Sequence, residues 1–408
     1  MNSGQTVFRQ LLQYLPRHEF NVCVRRYRGE YWAKSFSTFD QFLCLAYAQL
    51  SGRESLRDIE TCLNSHRDKL YHVGFRGAVS RTTLADANKR RDWRIFQDFG
   101  HVLIGIAQRL YQNEPLAIEL KQPLFAFDST TIDLCLSLFP WAEFRMTKAA
   151  VKMHTLIDLR GSIPTFVAVT TGKVHDVRML DEMPVTEDAI YTMDRGYVDF
   201  ARLYAIHKQG AFFVVRAKDN LRYQRLYSSP KDKEAGIRAD QVITLVTQKS
   251  KKGFPEKLRR VSYVDKERNK RLVFLTNHFD VAAKTVADIY KQRWQVELFF
   301  KWIKQHLRIK AFYGTSINAV KSQIWVALCI YLLVAIAKKR LGSKCSLYTF
   351  LQIIEVNLFE KKPISSVVQR LSSKTQNRLA VTSLIYSVIN RTAVTGIENH
   401  WQSPQHFQ

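Results

Sequence analysis

Near residue 119 the spacing of apolar residues changes, and that change limits what the chain can fold into. Before it, apolar residues recur at helical intervals. A helix is predicted over 39–50 with Ser37 or Thr38 as cap, a second over 56–63 capped by Ser55, and a third from Ser80 through Arg91. After it come short apolar runs bounded by turn residues. Segments 124–133, 151–158, 163–171, 189–194 and 211–216 read as five strands, with helices over 177–183 and 199–209. Three strands able to pair antiparallel, followed by alternating helix and strand, make a mixed α/β sheet. The stretch 220–282 holds further strand-like runs at 241–247, 258–264 and 272–276, and reads as a β insertion ahead of a helix near residue 290. The implied organisation is a helical unit over 1–118, an α/β unit over 119–315 with its insertion at 220–282, and a helical region over 316–408.

Charge narrows the function. The 408 residues carry 62 Lys and Arg against 36 Asp and Glu, a net charge of +26, while 46% of residues are hydrophobic. That apolar share supports a packed core rather than disorder. The cationic excess, spread along the chain, predicts a polyanionic partner and points to nucleic acid. Six cysteines, at 23, 44, 62, 135, 329 and 345, show no metal-finger or redox spacing and read as reduced thiols. The N-terminus lacks a secretory pattern. The longest uncharged apolar run, 324–337, falls short of the roughly 20 residues a bilayer crossing needs, so it reads as a core helix of a soluble intracellular protein with no membrane role.

Two of the apolar runs end on an aspartate, at Asp128 and Asp194. If their strands are adjacent and parallel, both carboxylates reach the C-terminal edge of the sheet, where ligands collect in open α/β folds. A third carboxylate, Glu297, lies on the helix after the insertion. At about 100° per residue, Tyr290, Arg293, Glu297 and Lys304 fall within about 60° of arc, with Trp294, Leu298, Phe299, Trp302 and Ile303 on the opposite, core side. Singly, each aspartate could be a turn residue and the Arg293–Glu297 spacing an ordinary helix pair. Together the three carboxylates suit divalent metal, Mg²⁺ or Mn²⁺ and two ions, with Arg293, Lys304 and Tyr290 facing a DNA phosphate or base. In the helical N-terminal unit, Arg81, Lys89, Arg90 and Arg91 line a possible DNA-binding helix of a helix-turn-helix. His154, His175, Asp133 and Asp158 read as structural or turn residues, with His175-Asp176 able to approach the site.

The spacing Tyr-x2-Arg-x3-Glu-x6-Lys, met by Tyr290, Arg293, Glu297 and Lys304, resembles the YREK signature of bacterial insertion-sequence transposases of the DDE class. Asp128 in Phe-Asp-Ser-Thr and Asp194 in Met-Asp-Arg-Gly-Tyr match that family's two aspartates, and the β insertion resembles its inserted subdomain. The resemblance covers about 120–315. It implies a ribonuclease-H-like mixed sheet with an inserted β subdomain and helical flanks. It also implies Asp128, Asp194 and Glu297 as metal-holding catalytic residues, with hydrolysis by water and then attack by the freed 3′ hydroxyl. Partners would be double-stranded DNA, both element ends and target, held by a homodimer on paired ends. Relatives with this insertion pass through a DNA hairpin, some with a tryptophan of the insertion holding a flipped base. Here no tryptophan lies between Trp141 and Trp294, which leaves Tyr223, Tyr227, Phe254 or Tyr263 as stacking platforms. The rival readings are a nuclease of the same fold and a catalytically inactive DNA-binding repressor.

Overall fold

The structure is a computed structural model that describes residues 4–31, 33–266, 269–306 and 312–368. The polar stretch at 402–405 lies outside the described residues. Seven helices come first: α1 (Val7–Leu12), α2 (Arg17–Arg26), α3 (Thr38–Ser51), α4 (Leu56–Ser65), α5 (Arg67–Val73), α6 (Arg81–Arg90) and α7 (Arg94–Tyr111). Local chemistry sets several of their ends. Ser37 and Asp40 close a reciprocal capping box on α3, and Gly52 ends it in the left-handed region at φ 64°. Ser55 caps α4 through the Asp58 amide. Ser80 stands before α6, but its hydroxyl meets Thr82 Oγ1 at 2.9 Å and caps nothing. Between the two helices expected to form a helix-turn-helix lies α5, so that pair is not joined by a simple turn.

Ten described strands build one mixed sheet: β1 (Leu124–Leu134), β2 (Glu143–Arg145), β3 (Lys148–Asp158), β4 (Ile163–Thr171), β5 (Ile190–Met193), β6 (Phe212–Arg216), β7 (Tyr223–Ser228), β8 (Ile237–Leu245), β9 (Leu258–Asp265) and β10 (Lys270–Thr276). Its centre runs β4-β3-β1-β5-β6. There β3 is antiparallel to both neighbours, and β5 and β6 are parallel to β1. That is the ribonuclease-H-like order. The insertion is a meander, β7 to β10, docked through β10 antiparallel to β6, so it lengthens the sheet rather than forming a separate body. A short helix, α8 (Phe200–Lys208), covers one face together with α9 (Gln248–Gly253). The other face carries α10 (Ala283–Gln292) and α11 (Trp294–His306).

Strand alternation assigns side chains to these faces. Leu124, Ala126 and Ile190 join the large core shared with the N-terminal helices. Phe127, Tyr191, Met193, Phe213 and Val215 pack under α8 in a second cluster. The last described helices are α12 (Ile317–Arg340) and α13 (Leu347–Asn357). By length and composition α12 could cross a membrane, but it is buried inside the fold, with α7 and α3 against it. Its contact with α7 is close enough that a Cβ at Gly100 would meet the Trp325 ring at 3.0 Å.

Candidate active site

The parallel ladder places the two aspartates. Phe127 lies level with Met193, so Asp128 and Asp194 follow on neighbouring strands, about 5 Å apart along the backbone. Both occupy the alternate set that faces α10 and α11. The chain does not turn at Asp128: β1 continues to Leu134, pairing Asp128 with Thr155, while β5 stops at Met193. At Asp194 the chain turns tightly through Arg195–Tyr197, and the Asp194 carboxylate accepts the Arg195 amide.

The third carboxylate arrives from across the sheet. Arg293 donates from Nη1 to Asp128 Oδ2 at 3.0 Å and from Nη2 to Glu297 Oε1, so one guanidinium spans two carboxylates 169 positions apart. Lys304 Nζ donates to the Thr131 carbonyl at 2.7 Å, fastening α11 along the second half of β1. Tyr290 is half-buried with its ring 4.8 Å from that of Phe274, and the Arg293 guanidinium lies 5.6 Å from its centroid. Burial pushes the Asp128 carboxyl up to about 6; the Ser129 amide and Arg293 pull against this, and the charges of Asp194 and Glu297 add to it. A carboxylate made costly by burial and by two like charges is one that a divalent cation would relieve.

Two expectations for this helix need correction. The segment is not continuous: α10 ends at Gln292 and α11 begins at Trp294, with Arg293 at the junction. Nor are Trp294 and Leu298 core residues; they are 52% and 46% exposed. The arc that packs holds Val296, Phe299, Phe300, Trp302 and Ile303, which already fills about half the helix circumference. Trp294, Leu298 and Lys301 therefore form an open flank beside the acidic stripe.

Among the described residues, no group of three His, Cys, Asp or Glu side chains stands close enough to share one ion. Asp128, Asp194 and Glu297 supply the hard oxygen donors Mg²⁺ requires, and in this arrangement Glu297 is engaged by Arg293. Behind the edge, under the face of α8, lies a polar cluster that sequence reading missed in large part. His154 is fully buried opposite Ser129, with Nε2 2.9 Å from Thr170 Oγ1 and Nδ1 3.8 Å from Asp176 Oδ1. Burial lowers its pKa to about 4, so it is neutral at pH 7. Lys152 reaches the same Asp176 oxygen at 3.1 Å. The buried Tyr197 hydroxyl is influenced by Asp128, Asp176 and Asp194, and burial pushes its pKa up. The signal was Tyr197 itself, three residues after Asp194.

Other residues singled out fall elsewhere. Arg81, Lys89 and Arg90 are exposed on α6, which packs on α3, α4 and α12; Arg90 pairs with Asp86 at 2.7 Å. Arg91 turns inward to the carbonyls of Phe36 and Ser37. Asp158 pairs with Arg160 at the β3–β4 turn, Asp133 is exposed, and His175 precedes the turn at Asp176–Asp181. Of the four aromatic candidates in the insertion, Phe254 and Tyr263 are buried. Tyr227 is exposed, and Tyr223 lines a basic cleft.

A family model described as a transposase DDE domain matches residues 119–333, and one described as a domain of unknown function matches 3–76. A putative transposase of Sinorhizobium fredii is 32% identical over 70% of this chain and 79% of its own. A probable transposase of an insertion sequence from Geobacillus stearothermophilus is 31% identical over 53% of this chain and 57% of its own. The piggyBac transposase, solved by cryo-EM in a synaptic complex with hairpin DNA, aligns over 88% of this chain and 79% of its own, with a TM-score of 0.43 and 12% identity. Matched over more than half its length by the first of these models, the chain belongs to the DDE transposase family, DNA transposases that act as enzymes on DNA.

Proposed function

We propose that this transposase cuts the ends of an insertion sequence by phosphodiester hydrolysis and joins them to target DNA by transesterification. The observation that carries the reading is the convergence of Asp128, Asp194 and Glu297, remote in sequence, on one sheet edge beside Arg293. Asp128, Asp194 and Glu297 would hold two Mg²⁺ or Mn²⁺ ions. Such ions, when bound, activate the attacking oxygen and stabilise the leaving one. Arg293, released from Glu297, binds the scissile phosphodiester through its planar fork. Lys304 braces α11 on β1 and adds positive charge beside the strand. Tyr290 supports Arg293 from below. Exposed Arg81, Lys89 and Arg90 contact DNA from the N-terminal helical unit, a homodimer holds the paired ends, and the protein works inside the cell.

Alanine at Asp128, Asp194 or Glu297 should lower cleavage of end-bearing duplex at least a thousandfold, with binding to the same duplex within about threefold of wild type. Cleavage and joining are followed together on labelled ends with Mg²⁺. Full cleavage by any of the three variants overturns the assignment of the site. Cut ends without joined products would make the protein a nuclease of this fold.

A further inference from the structure

Each of the two strand-end carboxylates is held by the backbone amide that follows it. Ser129 donates its amide to Asp128 Oδ1 at 2.8 Å, leaving Oδ2 to Arg293, and the Arg195 amide bonds Asp194 Oδ1. The backbone at 129 and at 195 therefore sets where the carboxylates point. One side chain touches both places. Tyr197 closes the turn after Asp194 by donating its amide to the Asp194 carbonyl at 3.1 Å. Its ring meets that of Phe127, the residue before Asp128, edge to face with centroids 5.2 Å apart.

Packing explains the ring but not the hydroxyl. Tyr197 is only 3% exposed, yet among the described residues its hydroxyl makes no hydrogen bond. A buried hydroxyl without a partner is destabilising, and phenylalanine would fill the same space without that cost. Strand alternation identifies its surroundings. Half-buried Ser129 lies on the same face of β1 as Phe127, towards α8, and His154 stands opposite it on β3. Lys152 pairs with Asp176, and His154 Nε2 meets Thr170 Oγ1, so Ser129 offers the matching hydroxyl. Its side chain acts on the Tyr197 hydroxyl, as do the charges of Asp128, Asp176 and Asp194.

Strand pairing alone does not fix the two carboxylates relative to each other. The ladder between β1 and β5 ends at Phe127 and Met193, one residue short of each aspartate. Beyond it the chains part, β1 running on to Leu134 while β5 gives way to the turn at Arg195–Tyr197. Tyr197 is the tie across that divergence. We infer that Tyr197 is a positioning residue for metal binding, its hydroxyl bonding the Ser129 side chain when the carboxylates close on a divalent cation. That bond holds the turn presenting the Arg195 amide against the strand presenting the Ser129 amide, so both carboxylates are aimed at one point. The inference rests on the reading of Asp128, Asp194 and Glu297 as metal-holding residues.

The test is Mn²⁺ binding to the full chain, counted by loss of the free-ion paramagnetic resonance signal, alongside end cleavage as a function of Mn²⁺ concentration. Tyr197→Phe keeps the ring and removes only the hydroxyl. It should raise the half-saturating Mn²⁺ concentration about tenfold in both readouts, as loss of a group supporting metal ligands does. Its metal-free urea midpoint should not fall, because the hydroxyl it lacks makes no bond there. Ser129→Ala should give a similar shift, and the double variant no more than either single one. Half-saturation by Tyr197→Phe within about threefold of wild type overturns the inference. So do single shifts that multiply in the double variant, or a metal-free midpoint that falls along with metal affinity. Should Tyr197→Phe fail to fold, Ser129→Ala alone is held to the same limits. Asp128→Asn and Asp194→Asn should lose Mn²⁺ binding. If either binds as wild type does, the reading of the metal site fails and takes the inference with it; lost binding there beside an unmoved Tyr197→Phe sinks the inference alone.

Discussion

Arg259, which is buried, and Arg293, which is half-buried, are both bound to aspartate, and they are finished to different degrees. Arg259 meets Asp240 with two parallel bonds, at 2.9 and 2.8 Å, and gives its remaining nitrogen to the carbonyls of Val281, Phe279 and His278. One cation faces one anion, and the guanidinium is ringed by acceptors. Arg293 is divided between Asp128 and Glu297, with Asp194 near enough to raise Asp128 further, and among the described residues its Nε has no acceptor. Here negative charge exceeds positive in a half-buried place. A closed pair fixes structure; an open one leaves room for an incoming cation and for a phosphate. Arg259 pins the loop that leads into α10, and so indirectly sets where Arg293 stands.

The largest effect expected from this contrast is on the closed pair. Arg259→Met leaves Asp240 buried and alone and removes the bonds that hold 278–281. It should destabilise the protein by about 3–5 kcal/mol, the usual cost of breaking a buried pair from one side. Urea denaturation of wild type and variant measures it. A loss under about 1 kcal/mol would mean that the pair is not the clamp its bonding suggests.

For the open site the sign reverses. Asp128 sits near 6 in the folded chain against about 3.9 when unfolded. A raised carboxyl means that folding disfavours the charged form. Its contribution is therefore most favourable below about pH 4 and is lost as pH rises through 6. The difference between about 3.9 and about 6 corresponds to at most about 3 kcal/mol. In metal-free buffer, Asp128→Asn should be more stable than wild type at pH 7 by up to that amount, and the gap should close between pH 6 and pH 4. Adding Mg²⁺ should narrow the gap by stabilising wild type only. An Asn variant less stable than wild type at pH 7 would place Asp128 in the same class as Asp240.

These two sites also show what could be read from sequence. Asp128 and Asp194 were legible because each follows an apolar run, and the parallel ladder of β1 and β5 then brings them together. Glu297 was legible from its helical spacing to Arg293. The start of β8 was not: expected at 241, it lies at Ile237, because Arg238 and Asp240 read as loop residues and only the buried bond to Arg259 makes Asp240 a strand residue. Strand β7, Tyr-Gln-Arg-Leu-Tyr-Ser, lies at the sheet edge with most side chains in solvent, so it carries no apolar alternation to detect. The break at Arg293 escaped because Gln292, Arg293 and Trp294 are all acceptable helix formers.

The smallest expected effect on folding is the one that separates the two arginines most sharply. Arg293→Gln removes the guanidinium that bonds both Asp128 and Glu297, which by analogy with Arg259 should be severe. It should not be, because Asp128 titrates near 6 and can take up a proton instead of remaining an uncompensated charge. At pH 5 Asp128 is largely protonated with or without the arginine, and only the half-exposed pair to Glu297 is lost, a matter of about 0.5–1 kcal/mol. Above pH 6 the curves should part. Wild type has already lost the contribution of Asp128, while the variant, whose Asp128 pKa is higher still, goes on losing up to about 1.4 kcal/mol per pH unit until that carboxyl ionises. Denaturation at pH 5 and pH 8 without divalent ions reads the difference. A loss of about 3–5 kcal/mol that is the same at both pH values would show that Arg293 is a structural clamp like Arg259, and that the open site is open in appearance only.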